Sequence, residues 1–397
     1  MELSPSNGSP FYGSEEARRS AFPVCDENVF LAHAAVTVLP KVSADAVSRY
    51  AQQSARLPQE FGQVLKDFRR TRELAAQLIG ARWEEIALIG PTSLGLSLFA
   101  NGYQWIAGDE VVYYADDYPA NVYPWLELER RGVVCKAIRA ESPGEITPEL
   151  VLSVVGPRTR MVALASCHFF SGYRLDVEGI GAVLRARGIL FALDAIQTLG
   201  AFPLDVVRAS VDMLSADAHK WLLGPMAIGI VYVSERHFAR IRPTLLGAWN
   251  VQSPRFLAQE RIEFVPTAQR YEPGVLNAAG VYGMKASLEL LLEVGIDRIA
   301  SRLIFLKHAL LDLLEPLGFE VMGVRAGPNA SGITTVSHPR APASALMQAL
   351  EAGGVIASLR HDAQGRDYLR FSPHFYNTVG ELVQVASLLE DALIKSR

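Results

Sequence analysis

Cysteine is scarce in this chain: Cys25, Cys135 and Cys167 are the three in 397 residues, and they lie far apart. That scatter excludes a disulfide framework and offers no zinc-ligand spacing, which suits a reducing cytoplasm. Basic runs are also missing. The formal net charge is −4, with no block of Lys and Arg, so neither nucleic acid nor an anionic membrane is an expected partner. No uninterrupted apolar segment is long enough to span a bilayer. Met1 to Glu16 is polar, with Ser, Pro and Gly, and lacks the basic start and apolar stretch of a secretory signal. A cytoplasmic location is the expectation from these absences. No Gly-x-Gly-x-x-Gly follows a strand, which argues against a nicotinamide enzyme. Internal repeats and low-complexity tracts are absent too.

What remains suits a soluble globular protein: 50% of residues are apolar and 20% charged, and the length allows two domains around a large shared core. Residues 1–27 read as a flexible arm or docking segment. Segments 43–55 and 61–78 carry helical periodicity. A short strand at 86–89 stops at Gly90-Pro91, and Thr92 and Ser93 then open an apolar helix over 94–102. Strands are expected at 110–114, 133–138, 161–165, 190–193 and 213–215, with helices at 125–131 and 177–187. Strands alternating with helices imply a mostly parallel, doubly wound α/β sheet. Residues 228–233 read as a further strand, an edge or antiparallel one. After Arg270-Tyr271-Glu272-Pro273-Gly274 the texture changes. Helices at 278–294, 299–314, 343–352 and 378–394, with strands at 332–336 and 368–371, read as a smaller α+β unit. The expected division is an arm over 1–27, a large domain over 28–275 and a small C-terminal domain over 276–397.

Lys220 carries the most chemical information. It sits in Ser215-Ala216-Asp217-Ala218-His219-Lys220-Trp221-Leu222-Leu223-Gly224-Pro225, between an apolar strand and a Gly-Pro turn. A lysine buried there is costly unless used. Upstream, Asp194 ends an apolar strand, where open α/β sheets bind ligands; its plainer role is a helix N-cap. A lysine to hold an aldehyde and an acid to hold a pyridinium nitrogen are the two groups that pyridoxal phosphate chemistry needs. Gly90-Pro91-Thr92-Ser93 turns a strand into a helix, and free N–H groups with two hydroxyls there suit a phosphate or serve as an ordinary cap. Tyr118 can stack on a planar ring or cover the core edge. Cys167 and His168 are neighbours on a strand end and point to opposite faces, which argues against a thiol–imidazole pair. Arg370, within a strand, is a salt-bridge partner or a bidentate clamp for a carboxylate.

Taken in order, Gly90-Pro91-Thr92-Ser93, Tyr118-Pro119-Ala120-Asn121-Val122-Tyr123-Pro124-Trp125, Asp194-Ala195-Ile196-Gln197, His219-Lys220-Trp221, Tyr271-Glu272-Pro273-Gly274, Arg370 and Phe375-Tyr376-Asn377-Thr378 resemble the class V aminotransferase family of pyridoxal-phosphate enzymes. The likeness is to its branch of cysteine desulfurases and isopenicillin N epimerase-like proteins, from about Asn28 to the C-terminus. The resemblance implies the type I fold of these enzymes, a large mainly parallel sheet domain with a smaller C-terminal one, in a homodimer with shared sites. It implies that Lys220 carries the cofactor and shuttles protons, and that Asp194 keeps the ring nitrogen protonated. Gln197 would donate to the phenolic oxygen, with His168 near it, and Tyr118 would stack on the ring. Thr92, Ser93 and His219 would hold the phosphate, and Arg370 the substrate carboxylate. The segment around Gly274 would reach the partner subunit's phosphate.

Three positions depart from that pattern. Asp217 replaces a hydroxyl residue and, facing the phosphate, would repel it. Val275 replaces Thr. The segment from Arg360 to Asp367, Arg360-His361-Asp362-Ala363-Gln364-Gly365-Arg366-Asp367, lacks the cysteine that accepts sulfur in desulfurases. The leading expectation is therefore a C–S lyase: β-elimination on a cysteine derivative without a persulfide-forming cysteine. Arg360, His361 and Arg366 could hold an acidic or polar leaving portion, or be a solvated turn. Epimerisation and transamination need no residue that the chain lacks and stay open. So does a pyridoxal-phosphate-binding regulatory protein without turnover.

Overall fold

A computed structural model describes residues 11–395. Its strands are β1 (Val29–Phe30), β2 (Ile86–Leu88), β3 (Glu110–Tyr114), β4 (Val134–Ile138), β5 (Thr159–Ala165), β6 (Leu190–Asp194), β7 (Met213–Asp217), β8 (Gly229–Val233), β9 (Glu320–Met322), β10 (Thr334–Ser337), β11 (Val355–Ile356), β12 (Ser358–His361) and β13 (Asp367–Phe371). A seven-stranded sheet runs in the order β2-β8-β7-β6-β5-β3-β4. The strands from β7 to β4 are parallel. β8 is antiparallel to both β7 and β2, so it lies inside the sheet and β2 forms that edge.

The strands read as unbroken apolar runs because both faces of this sheet are covered. Val112 and Tyr114 enter one core with Leu164, Leu193 and Leu214. Val111 and Tyr113 enter the opposite core with Ala163, Ala192 and Met213. A four-stranded antiparallel sheet, β12-β13-β10-β9, has its own core of Val336, Leu369, Phe371, Leu346 and Leu382.

Of the expected N-terminal arm, residues 1–10 lie outside the described residues. From residue 11 onward the arm is docked. Ser14 caps the helix Glu15–Ala21 by accepting from the Ala17 N–H. Phe22 is fully buried and stacks on Tyr376 at 3.8 Å between ring centroids. Arg18 pairs with Glu381 at 2.9 Å. The expected helix over 125–131 is instead a short helix, Tyr123–Leu126, followed by a 3-10 segment, Glu127–Arg131, that ends at Gly132 in a left-handed conformation. The helix Pro148–Val154 escaped the apolar pattern, although its signal is local: Thr147 accepts from the Leu150 N–H and Pro148 occupies the first turn.

Candidate active site

The chemistry-bearing side chains gather at the carboxyl ends of four adjacent strands, β7-β6-β5-β3, where open α/β sheets leave room for ligands. Asp194 is the last residue of β6, and Lys220 follows β7 across Ala218 and His219. Phe169 follows β5 and Tyr118 follows β3. These residues, with Arg360 and Arg370 from the small sheet, line one cleft of about 420 Å³.

Lys220 and Asp194 are both buried. Burial pushes the Lys220 ammonium down to about 8, against the pull of Asp194, while Arg370 and Arg360 add to the downward push. Burial likewise raises the Asp194 carboxyl to about 6, against the Ile196 N–H and the charge of Lys220. Asp117 stands nearby, buried and raised to about 7 by desolvation and by Asp194. The Tyr118 N–H and Asn121 Nδ2 donate to it. Near neutral pH the site thus offers an amine that gives up its proton more readily than a free lysine, beside a largely ionised acid.

At the far end of the cleft, Pro91, Thr92 and Ser93 open the helix Thr92–Gly102. Gly95 brings this helix close to β7 and β8, because a Cβ there would overlap Ser215 and Val231. Thr92 Oγ1 accepts from the Asp217 N–H at 2.8 Å. Asp217 does not face the cleft. Its carboxylate is buried, accepts from the Ala218 N–H and lies 2.8 Å from His219 Nδ1. The repulsion expected of Asp217 therefore gives way to a supporting contact: it fixes the ring of His219, which does line the cleft.

Gln197 lines the cleft with both its amide oxygen and its amide nitrogen engaged. Trp221 Nε1 donates to its oxygen at 3.0 Å, and its Nε2 donates to the Ala34 carbonyl at 3.1 Å. A second Nε2 hydrogen remains to donate. Tyr118 is 51% exposed, and Lys220 Nζ lies 5.6 Å from its ring centroid. His168 stands apart from the expected set. Its Nδ1 is 3.0 Å from Ser171 Oγ and its Nε2 is 3.1 Å from the Asp116 carbonyl. Burial lowers it to about 4. Both nitrogens are occupied, so His168 leaves the candidate cofactor contacts. Its neighbour Phe169, which the sequence reading missed, lies in the turn after β5 and lines the cleft instead.

Arg370 is 1% exposed. Its Nη1 donates to the Phe169 carbonyl, while Nε and Nη2 are buried without a partner. These two atoms form the guanidinium edge that accepts a carboxylate side-on. Val275, by contrast, is 67% exposed and lines, with Gly90, Gly274 and Leu245, a second cleft of about 620 Å³.

The residues fit pyridoxal phosphate. The cleft joins a buried amine, a buried acid, the exposed ring of Tyr118 and a helix start with two hydroxyls. The open edge of Arg370 is the orphaned donor pair that a bound amino acid would complete. No His/Cys/Asp/Glu group that could hold a metal occurs among the described residues, and no helix there is long and apolar enough to cross a membrane.

The family model described as aminotransferase class-V matches residues 29–385. A probable cysteine desulfurase of Methanothermobacter thermautotrophicus is 27% identical over 96% of this chain and 98% of its own length. An uncharacterized aminotransferase of Bacillus subtilis is 24% identical over 92% of this chain and 95% of its own. Among solved structures, the apo cysteine desulfurase of Thermococcus onnurineus NA1 superposes with a TM-score of 0.89 at 22% identity, covering 99% of this chain and all of that one. A cystine C-S lyase in complex with its product cysteine persulfide superposes with a TM-score of 0.84 at 20% identity, over 93% of this chain and 99% of that one. These structures share the fold.

Proposed function

The chain belongs to the class-V aminotransferase family of pyridoxal-phosphate enzymes, and from that premise we propose that it is a C–S lyase. It would cleave S-substituted cysteines by β-elimination, without passing sulfur to a cysteine of its own. When bound, the cofactor supplies an electron sink that acidifies the Cα–H of an amino acid joined to it.

The chain's own residues then have separable tasks. Lys220 is the amine proposed to hold the cofactor's aldehyde carbon. With its amine free, the same side chain would take the proton from Cα and deliver it to the departing sulfur. Asp194 holds a proton on the ring nitrogen. Thr92, Ser93 and His219 grip the phosphate, with Asp217 behind His219. Tyr118 stacks on the ring, and Gln197 donates to its phenolic oxygen. Arg370 clamps the α-carboxylate. The Cα–H and Cβ–S bonds break, the thiol leaves, and water converts the remainder to pyruvate and ammonia.

The observation that carries the lyase reading is the hairpin where a desulfurase cysteine is expected. β12 and β13 join through a tight turn, with Gly365 N–H donating to the Asp362 carbonyl, and the segment contains no thiol. The three cysteines lie elsewhere. Burial raises Cys25 to about 12 and Cys135 and Cys167 to about 11, so none is a ready thiolate. Incubation with S-substituted cysteines is expected to release thiol, pyruvate and ammonia, and mass spectrometry during turnover to find no persulfide on the protein. Stereochemical inversion alone, keto-acid formation with the aminated cofactor, or a persulfide on any cysteine would each sink the lyase assignment.

A homodimer belongs to the same proposal. Leu245, Leu246 and Val275 are 48%, 53% and 67% exposed, and Phe256, Leu257 and Ile262 are 67%, 61% and 55% exposed. Of these, Leu245 and Val275 line the second cleft, and large apolar side chains left so exposed suit an interface better than water. Sedimentation equilibrium should give twice the 43.4 kDa chain mass; a monomer at micromolar concentration overturns it.

A further inference from the structure

We propose that the substrate carries a second carboxylate, at the far end of its side chain, and that Arg360 holds it. The enzyme would then act on acidic cysteine S-conjugates in preference to neutral ones. The place of sulfur in this substrate rests on the lyase reading; the second carboxylate does not.

The small sheet sets the geometry. In the antiparallel pair of β12 and β13, Arg360 stands opposite Tyr368, and Ser358 opposite Arg370. Arg360 and Arg370 are therefore diagonal neighbours on one face, with stems about 7–8 Å apart, and both line the cleft. Arg370 offers a free buried edge, Nε with Nη2. Arg360 Nε is likewise buried without a partner, and its Nη1 makes only a 3.4 Å hydrogen bond to the Leu359 carbonyl.

The charges of the hairpin tip are met locally. His361 Nδ1 lies 2.6 Å from Asp367 Oδ1, and Arg366 Nε donates to Asp362 Oδ2 at 2.6 Å. Both side chains are mostly exposed. Of the three candidates in this segment, only Arg360 turns into the site with its charge unmatched. Asp194, the acid that shares the cleft, is assigned to the ring nitrogen. Two guanidiniums and Lys220 therefore face one another across the substrate's position, and Arg360 disfavours the charge on Arg370.

A buried guanidinium, Arg370, and a half-buried one, Arg360, without anionic partners are costly, and the cost is recovered when an anion arrives with matching geometry. An α-carboxylate matches one guanidinium, leaving the other for a second anion displaced along the substrate. Tyr118 and Phe169, whose ring centroids are 5.5 Å apart, line the same cleft and suit a thioether or methylene linker.

The test compares S-carboxymethylcysteine with its neutral amide isostere, S-carbamoylmethylcysteine. Equilibrium binding to the holoenzyme is followed by the cofactor's absorbance and by calorimetry, and thiol release is measured separately. The native enzyme should favour the acid by about tenfold to a hundredfold. In Arg360→Gln that ratio should fall toward one, whereas Arg370→Lys should weaken both ligands together, because Lys cannot reproduce the fork. A native enzyme without preference, an unchanged ratio in Arg360→Gln, or a loss in that variant shared equally by acid and amide would overturn the proposal. The last outcome would mean that Arg360 shares the α-carboxylate. The native measurement decides even if the variant folds poorly. Preferential binding of the acid without thiol release would refute the lyase reading while supporting the second carboxylate.

Discussion

Replacing Lys220 with Ala should lower turnover by at least about 10³–10⁴-fold, because one side chain is assigned both cofactor attachment and proton transfer. In the native enzyme, borohydride should fix the cofactor to the peptide containing Lys220. In the variant no peptide should carry the label, and dialysis should strip the cofactor more readily. A label on any other lysine refutes the assignment. The apoprotein supplies a readout independent of activity. Burial holds the Lys220 ammonium at about 8, against 10.5 for a free lysine. Between those values the unfolded chain binds a proton that the folded one does not, so this group makes stability rise with pH across that window. Below about 8 it costs the fold on the order of 3 kcal/mol. Lys220→Ala should lack that rise, which denaturant titration at pH 7.5 and 10 would reveal.

Asp194→Asn should reduce turnover by about a hundredfold or more, because a neutral amide cannot keep a ring nitrogen protonated as charge develops. The same change should stabilise the apoprotein at neutral pH. Burial raises the Asp194 carboxyl from 3.8 to about 6. The folded chain therefore keeps a proton that the unfolded chain has lost between those values. Its stability contribution falls as pH rises through that window, and the penalty is complete above about 6. Removing the charge should return on the order of 3 kcal/mol, visible as a raised melting temperature at pH 7.5 and no gain near pH 3. A variant with near-normal turnover contradicts the role. One that loses both activity and stability points to a structural role instead.

The two carboxylates behind the chemistry illustrate how unequally the site was legible. Asp194 was a candidate because it ends an apolar strand, with a helix N-cap as its plainer role, and Lys220 because it lies between an apolar strand and a Gly-Pro turn; the structure brings both to one cleft. Asp217 was misjudged. Its neighbours in sequence imply a place beside a phosphate, but the hydrogen bond to His219 turns its carboxylate away from the cleft. Phe169 lines the cleft where His168 was expected, because contacts to Ser171 and the Asp116 carbonyl, distant or invisible in the local pattern, hold the His168 ring elsewhere.

The sequence alone determined the secondary structure of the large sheet and the order of its motifs, since these follow from local patterning and turn chemistry. The helices Ala278–Val294 and Ala343–Ala352 carried the same periodic signal. It missed β12, whose Arg360 and His361 gave no apolar alternation. It could not place β8 inside the sheet, because strand order depends on contacts between segments far apart in the chain. Only the tertiary structure decided which of Arg360, His361 and Arg366 faces the cleft. Those three differ in which acid lies within reach, Asp367 for His361 and Asp362 for Arg366, and that reach is set by the register of a hairpin. Charge composition is a property of the sequence, but whether a charge is matched or left open for a ligand is a property of the fold.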